Sequence, residues 1–164
     1  MIDESILSKY YSLIGQTLND LIPIEWKRVA MLAEVDDGWS STTFYFLTED
    51  GTAYHWGDIF EELGVDEDEF DEAFDELSEL TVDFQEEFKN AGVDVWSSFT
   101  FDMKEDGSFK VDFNYDRLDM EAGTHTRHTI WAYETLGLIP EDDYTKKLLK
   151  EYLAGKGRED EIKF

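Results

Sequence analysis

The sequence predicts a single-domain α+β fold. It has an antiparallel five-stranded sheet, a three-strand meander plus a hairpin, with helices packed mainly on one face, in the order α-βββ-α-ββ-α-α. Three observations carry this reading. Two long stretches place apolar residues at spacings of four and three, the helical period. Residues 109–116 alternate apolar and polar side chains, the period of a strand with one buried face. Short acidic turns containing glycine separate the extended stretches. A length of 164 residues suits one domain, and 15% aromatic residues supply the large buried areas that a core needs. Residues 1–153 are expected to form that domain, with 154–164 as a flexible tail.

The elements follow in order. Residues 2–22 read as a helix because Ile2, Ile6, Tyr10, Ile14, Leu18 and Leu21 form one stripe, and Pro23 stops it. Three strands come next, at 27–35, 42–48 and 52–57. The Asp36-Asp37-Gly38 corner and the Glu49-Asp50-Gly51 turn divide them. Residues 66–91 give the clearest helix. Phe70, Phe74, Leu77, Thr81, Phe84, Phe88 and Ala91 hold the stripe, and Gly92 ends it. A hairpin turns at Lys104-Glu105-Asp106-Gly107, between Trp96, Phe99, Phe101 and Met103 on one side and Phe109, Val111, Phe113 and Tyr115 on the other. Two helices close the chain, at 126–136 and 140–153. The second carries acids at its start and lysines further along, as the helix dipole favours.

Charge is the outlying property. Forty acids against 14 bases give a net charge of −26, well beyond the ~2–8 that solubility needs. That sign repels nucleic acid and anionic membranes, so neither is expected as a direct partner. The acid is also unevenly placed. Residues 61–91 hold 14 acids and one base, so this stretch alone carries half of the net charge. Exposed helices usually pair opposite charges four residues apart. Here Asp68/Glu72, Asp71/Asp75, Glu72/Glu76, Asp75/Glu79 and Glu79/Asp83 are like-charged, at a combined cost of ~1–2 kcal/mol. The helix dipole accounts for Asp66, Glu67 and Asp68 only. A surface facing a basic partner is one reading of the rest, with a solvated face and salt adaptation as the others. The partner-binding residues expected are Glu67, Asp68, Asp71, Glu72, Asp75, Glu76, Glu79 and Asp83. Trp39, in a loop after Gly38, is expected to be the most exposed tryptophan and an anchor beside the acids.

Motifs for catalysis are weak. The run from Asp66 puts Asp71 where a calcium loop needs glycine and Leu77 where it needs glutamate. His125 and His128 stand three apart, with only Asp119 or Glu121 nearby to complete a zinc site, and read as exposed imidazoles. His55 reads as a residue of an edge strand. Ser40-Ser41 and Ser97-Ser98 lie in no nucleophile elbow, and neither Walker nor dinucleotide glycine patterns occur. With 40 acids some carboxylate pair is inevitable, so a carboxylate- or metal-dependent hydrolase has no specific support. No metal, cofactor or catalytic residue is expected. With no cysteines, no apolar run long enough to span a bilayer and acids near the N-terminus, the expected location is the cytoplasm.

Four segments resemble one family. They are Leu21-Ile22-Pro23-Ile24-Glu25-Trp26-Lys27-Arg28-Val29, Val95-Trp96-Ser97-Ser98, Phe109-Lys110-Val111-Asp112-Phe113-Asn114-Tyr115-Asp116 and Tyr133-Glu134-Thr135-Leu136-Gly137-Leu138-Ile139-Pro140. In order and spacing they are similar to the YezG-like immunity proteins, over about residues 3–153. The resemblance implies a bacterial cytoplasmic antitoxin of the type VII secretion setting. Such a protein binds the basic C-terminal nuclease domain of a cognate LXG-type toxin. The matched positions are scaffold positions and bring no catalytic residues. Residues 61–91 and 122–128 depart from the pattern, so partner contacts there rest on charge. A hydrolase, or a halotolerant acidic domain without a specific partner, stand as the alternatives.

Overall fold

Helix α1 (Glu4–Leu21) starts where the Asp3 carboxylate accepts the Ser5 N–H at 2.9 Å. It ends two residues before Pro23 and buries Tyr10, Ile14, Leu18 and Leu21. The computed structural model describes residues 1–162. They fall into two compact units, Met1–Arg117 and a second running from Leu118. Among the described residues no helix is long and apolar enough to cross a membrane.

The first unit holds the sheet. Strands β1 (Arg28–Asp36), β2 (Trp39–Leu47) and β3 (Ala53–His55) form the meander, and β4 (Ser98–Lys104) and β5 (Phe109–Asn114) form the hairpin. Their spatial order is β3-β2-β1-β4-β5, antiparallel throughout, so β1 is central. The α+β class and the order of elements are as the sequence predicts. One element is additional: α2 (Asp58–Glu61), a single turn that buries Ile59. Four residues are too few to show a helical period.

Helix α3 (Glu67–Ala91) is capped by the Asp66 carboxylate, which accepts the Glu69 N–H at 3.1 Å. It ends on Gly92, whose φ of 68° lies in the left-handed region that a Cβ disfavours. Five of the seven residues of the predicted stripe are buried, while Phe74 is half-buried and Ala91, at the helix end, is exposed. Phe70, Leu77, Thr81, Phe84 and Phe88 are buried with α1 and with Val29, Met31, Ala33 and Val35 of β1. Phe84 is the meeting point. Its ring stacks on Tyr10 of α1 at 4.9 Å and meets Phe99 of β4 edge-on at 5.7 Å.

Next to Phe84 stands Gln85, buried although polar. Its side-chain amide donates to the Val35 carbonyl at 3.0 Å and to the Trp96 carbonyl at 2.8 Å. One NH2 group thus ties α3 to the end of β1 and to the chain entering β4. Trp96 packs edge-on against Phe99 at 4.9 Å, and its indole N–H is buried without an acceptor.

The second unit is a helical pair, α4 (Gly123–Leu136) and α5 (Asp143–Gly155), followed by a 3-10 turn at Glu159–Glu161. Asp142 caps α5 by accepting the Thr145 N–H at 2.8 Å. The Thr145 hydroxyl also meets Nε2 of His125 at 3.1 Å. Residues 154–162, predicted as a tail, fold back onto this unit. Ile162 is buried with Leu149 and Leu153, and the Arg158 guanidinium bridges Glu134 at 2.5 Å and Glu161 at 2.6 Å. Lys163 and Phe164, the end of the predicted tail, lie outside the described residues.

Two predictions follow from these contacts. Gln85→Leu leaves two buried carbonyls without a donor, so unfolding in urea is expected to occur ~2–4 kcal/mol more easily with an unchanged slope. The second concerns Glu161, which Arg158 and then the Tyr133 hydroxyl hold at about 2, below its ordinary 4.5. A depressed carboxylate contributes stability above its unfolded value and loses it as pH falls through its folded value. Wild type and Glu161→Gln should therefore differ most above pH 4.5 and converge towards pH 2, read by circular dichroism during acid titration.

Candidate partner-binding groove

All eight acids singled out on α3 are exposed. Asp68, Glu72, Asp75, Glu79 and Asp83 follow one another at spacings of four, three, four and four. At 3.6 residues per turn they form a row along the outer face. Glu67, Asp71 and Glu76 flank that row. None of the eight takes part in an ion pair among the described residues. One of them, Asp83, acts on the neighbouring helix: burial first, then the charge of Glu87 and after it that of Asp83, push the Tyr10 hydroxyl above its ordinary range.

The second half of this row borders a groove. Between α3 and the β1–β2 hairpin lie two adjoining depressions of about 330 and 420 Å³. The first is walled by Asp75, Glu79 and Asp83, the second by Trp39, Asp36, Asp37 and Glu86, and both share Val82 and Ser40. At the far end Lys89 Nζ stands 3.8 Å from the Asp37 carboxylate.

Trp39 does not occupy the exposed loop that the sequence suggests. It opens β2, paired with Asp36 across the turn, and its ring is half-buried. The two strands run on to a connection of Asp37 and Gly38 only, with Gly38 at φ 68° supplying the reversal. Held in a strand, the indole forms part of the groove wall. Of the expected residues, the fold brings Asp75, Glu79, Asp83 and Trp39 around this feature. It leaves Glu67, Asp68, Asp71, Glu72 and Glu76 along the first half of the helix, outside the groove.

Val82, Glu86, Asp36 and Asp37 also line the groove and were not singled out in the sequence. Val82 carried a signal, being an aliphatic residue three after Glu79, within the acidic row, and it is 41% exposed. The chemistry on offer suits a cationic side chain. Carboxylates receive the charged head, while Val82 and the Trp39 ring can pack against the apolar stem of a lysine or arginine. Among the described residues no three of His, Cys, Asp and Glu are grouped to hold a metal ion. His55 serves the backbone, its Nδ1 accepting the Gly57 N–H at 3.1 Å.

The like charges also make a stability prediction. Glu79→Lys converts Asp75/Glu79 and Glu79/Asp83 from repulsive to attractive pairs. It is expected to raise stability by about 1 kcal/mol at low salt. The gain should shrink in 1 M salt, where charges are screened within about 3 Å. Thermal unfolding at the two salt concentrations checks it.

Comparison with known proteins agrees with the resemblance seen in the sequence motifs. Residues 7–150 match the family described as "Immunity protein YezG-like". The chain belongs to the YezG-like immunity proteins. It is 37% identical over 146 residues to the immunity protein YezG of Bacillus subtilis, covering 88% of this chain and 97% of that protein. It is 30% identical over 151 residues to the type VII secretion system protein EsaG of Staphylococcus aureus, covering 90% of this chain and 92% of that protein. A second immunity protein YezG, from Bacillus spizizenii, is 29% identical over 153 residues.

Proposed function

We propose that this chain is a cytoplasmic antitoxin that binds a cognate toxin and inhibits its basic C-terminal nuclease domain, without catalysis of its own. Residues 1–153 act as the immunity domain. Family membership supports the antitoxin role, and the S. aureus relative's name supports the setting of type VII secretion. The choice of a nuclease rests on charge. A nuclease presents a cationic cleft to phosphate, and an uncompensated carboxylate row is complementary to such a cleft.

The observation that carries this reading is the α3 row with its three flanking acids: eight exposed carboxylates, none in an ion pair among the described residues, three of them lining the groove that also holds a half-buried tryptophan. A helix fixes the spacing of these charges before the partner arrives, so little ordering entropy is lost on binding. The long-range field adds rate, because steered association reaches about 10⁸–10⁹ M⁻¹s⁻¹ at low salt. Fast capture suits a cell that synthesises a nuclease able to attack its own nucleic acid.

The test is Asp75→Lys, Glu79→Lys and Asp83→Lys combined, assayed against the purified toxin C-terminal domain. Association is expected to slow at least about tenfold at low salt and to lose most of its salt dependence. Nuclease inhibition should weaken in parallel, while thermal unfolding stays at or above wild type. Unchanged inhibition with an unchanged salt slope would remove α3 from the interface.

A further inference from the structure

We infer that the free edge of β5 pairs with β5 of a second copy of this chain, in one antiparallel register centred on Val111. The sheet has two edges, and they differ. β3 is three residues long, and short edge strands resist pairing. β5 is six residues long, with neither proline nor glycine within it.

Hydrogen-bond parity shows which main-chain groups this edge presents. The Lys104 N–H donates to the Ser108 carbonyl at 2.8 Å, so that pair is hydrogen-bonded. In an antiparallel ladder every second pair is then hydrogen-bonded too: Asp102 with Lys110, Thr100 with Asp112, and Ser98 with Asn114. The main chain of Lys110, Asp112 and Asn114 turns inward to β4. The N–H and C=O groups of Phe109, Val111 and Phe113 turn outward to the open edge. Their side chains share the sheet face of Phe101 and Met103, yet Phe109 is 47% exposed, and Val111 and Phe113 are half-buried.

Side-chain charge selects both the occupant and the register. A lysine in the middle of an edge strand ordinarily discourages pairing. Here Asp112 stands two residues after Lys110, and both are exposed on the opposite face of the strand. A two-fold axis through Val111 sets Lys110 of each copy opposite Asp112 of the other, giving two opposite-charge pairs. The same axis sets Phe109 of each copy opposite Phe113 of the other, and aromatic cross-strand pairs are favourable. It also brings together the outward main-chain groups, for a ladder of about six hydrogen bonds. Centring on Lys110 or Asp112 also aligns outward-turned groups, but it sets Lys110 opposite Lys110 or Asp112 opposite Asp112, a like-charge pair directly across the strands. Centring on Phe109 or Phe113, at the ends of β5, separates Lys110 from Asp112 and leaves little of the two strands overlapped. The net charge of −26 opposes self-association at long range, but screening limits it to about 8 Å at physiological salt, and the strand itself balances one cation against one anion.

Sedimentation of the full chain from micromolar to millimolar concentration at physiological salt tests this, with circular dichroism to confirm the fold. The wild type is expected to dimerise reversibly. Lys110→Asp and Asp112→Lys each turn both opposite-charge pairs into like-charge pairs, and each should weaken the dimer about ten- to thirtyfold. The double variant, and an equimolar mixture of the two single variants, should restore it, because both regain opposite charges across the two-fold axis. A wild type monomeric at every concentration overturns the proposal. So does a dimer indifferent to the single variants, or one that mixing fails to restore. If the wild type is monomeric and the single variants weaken toxin binding instead, the edge belongs to a toxin strand and self-pairing is excluded.

Discussion

The Gln85 amide donates to carbonyls from two places in the chain, Val35 at the end of β1 and Trp96 just before β4. Apolar packing alone leaves a helix some freedom to roll, because the hydrophobic effect is not directional. Two hydrogen bonds from one side chain remove that freedom. With Gln85 fixed, Phe84 is turned into the aromatic cluster with Tyr10 and Phe99, and the acidic row is turned out to solvent. The same pair of bonds fixes the distance between α3 and the β1–β2 hairpin. That distance is the width of the groove.

Magnitudes explain why so charged a helix is stable. The like-charged neighbours on α3 cost ~1–2 kcal/mol together. Burial of a single large apolar side chain contributes ~1.5–3 kcal/mol. Phe70, Leu77, Phe84 and Phe88 are each buried almost completely. The inner face therefore offsets the outer one with room to spare, and the fold does not dictate the charge of the outer face. The sheet follows a different rule: the Arg28 guanidinium makes a bidentate pair with Asp102 at 2.9 and 2.7 Å, so the cation it places beside a buried acid is matched.

Much of this was legible in the sequence, and the parts that were not share a physical cause. The α3 stripe and the β5 alternation are local, so spacing alone identifies Phe70, Leu77, Thr81, Phe84 and Phe88 as buried and identifies the inward face of β5, although Val111 and Phe113 there are only half-buried and Phe109 and Tyr115 are exposed. Gln85 carries no signal in the sequence because it is polar, and its role depends on carbonyls 50 and 11 residues away. The sequence suggests a loop at Trp39 because Asp36-Asp37-Gly38 reads as the end of a strand, whereas the strands continue to a connection of two residues. The groove was invisible for the same reason. One wall comes from the hairpin and the other from α3, and only the fold brings them together. The returning segment at Arg158 reads as a tail in the sequence because Ile162, the one buried residue among those described there, stands among charges that show no period.

Charge is distributed by two rules within the first unit, and the difference separates two kinds of recognition. On α3 one sign repeats without compensation, which gives a field that acts at a distance and is blind to register. A partner carrying opposite charge is drawn in from many directions, and the groove beside Trp39 then has to supply the orientation. On β5 the signs alternate over Lys110 and Asp112, so the field cancels beyond a few ångströms and acts only when strands are already aligned. Such a pattern discriminates registers instead of raising rates. The acidic helix is thus suited to capturing a different, basic molecule. The β5 edge is suited to recognising its own sequence, and placing the two on different elements lets either operate without the other.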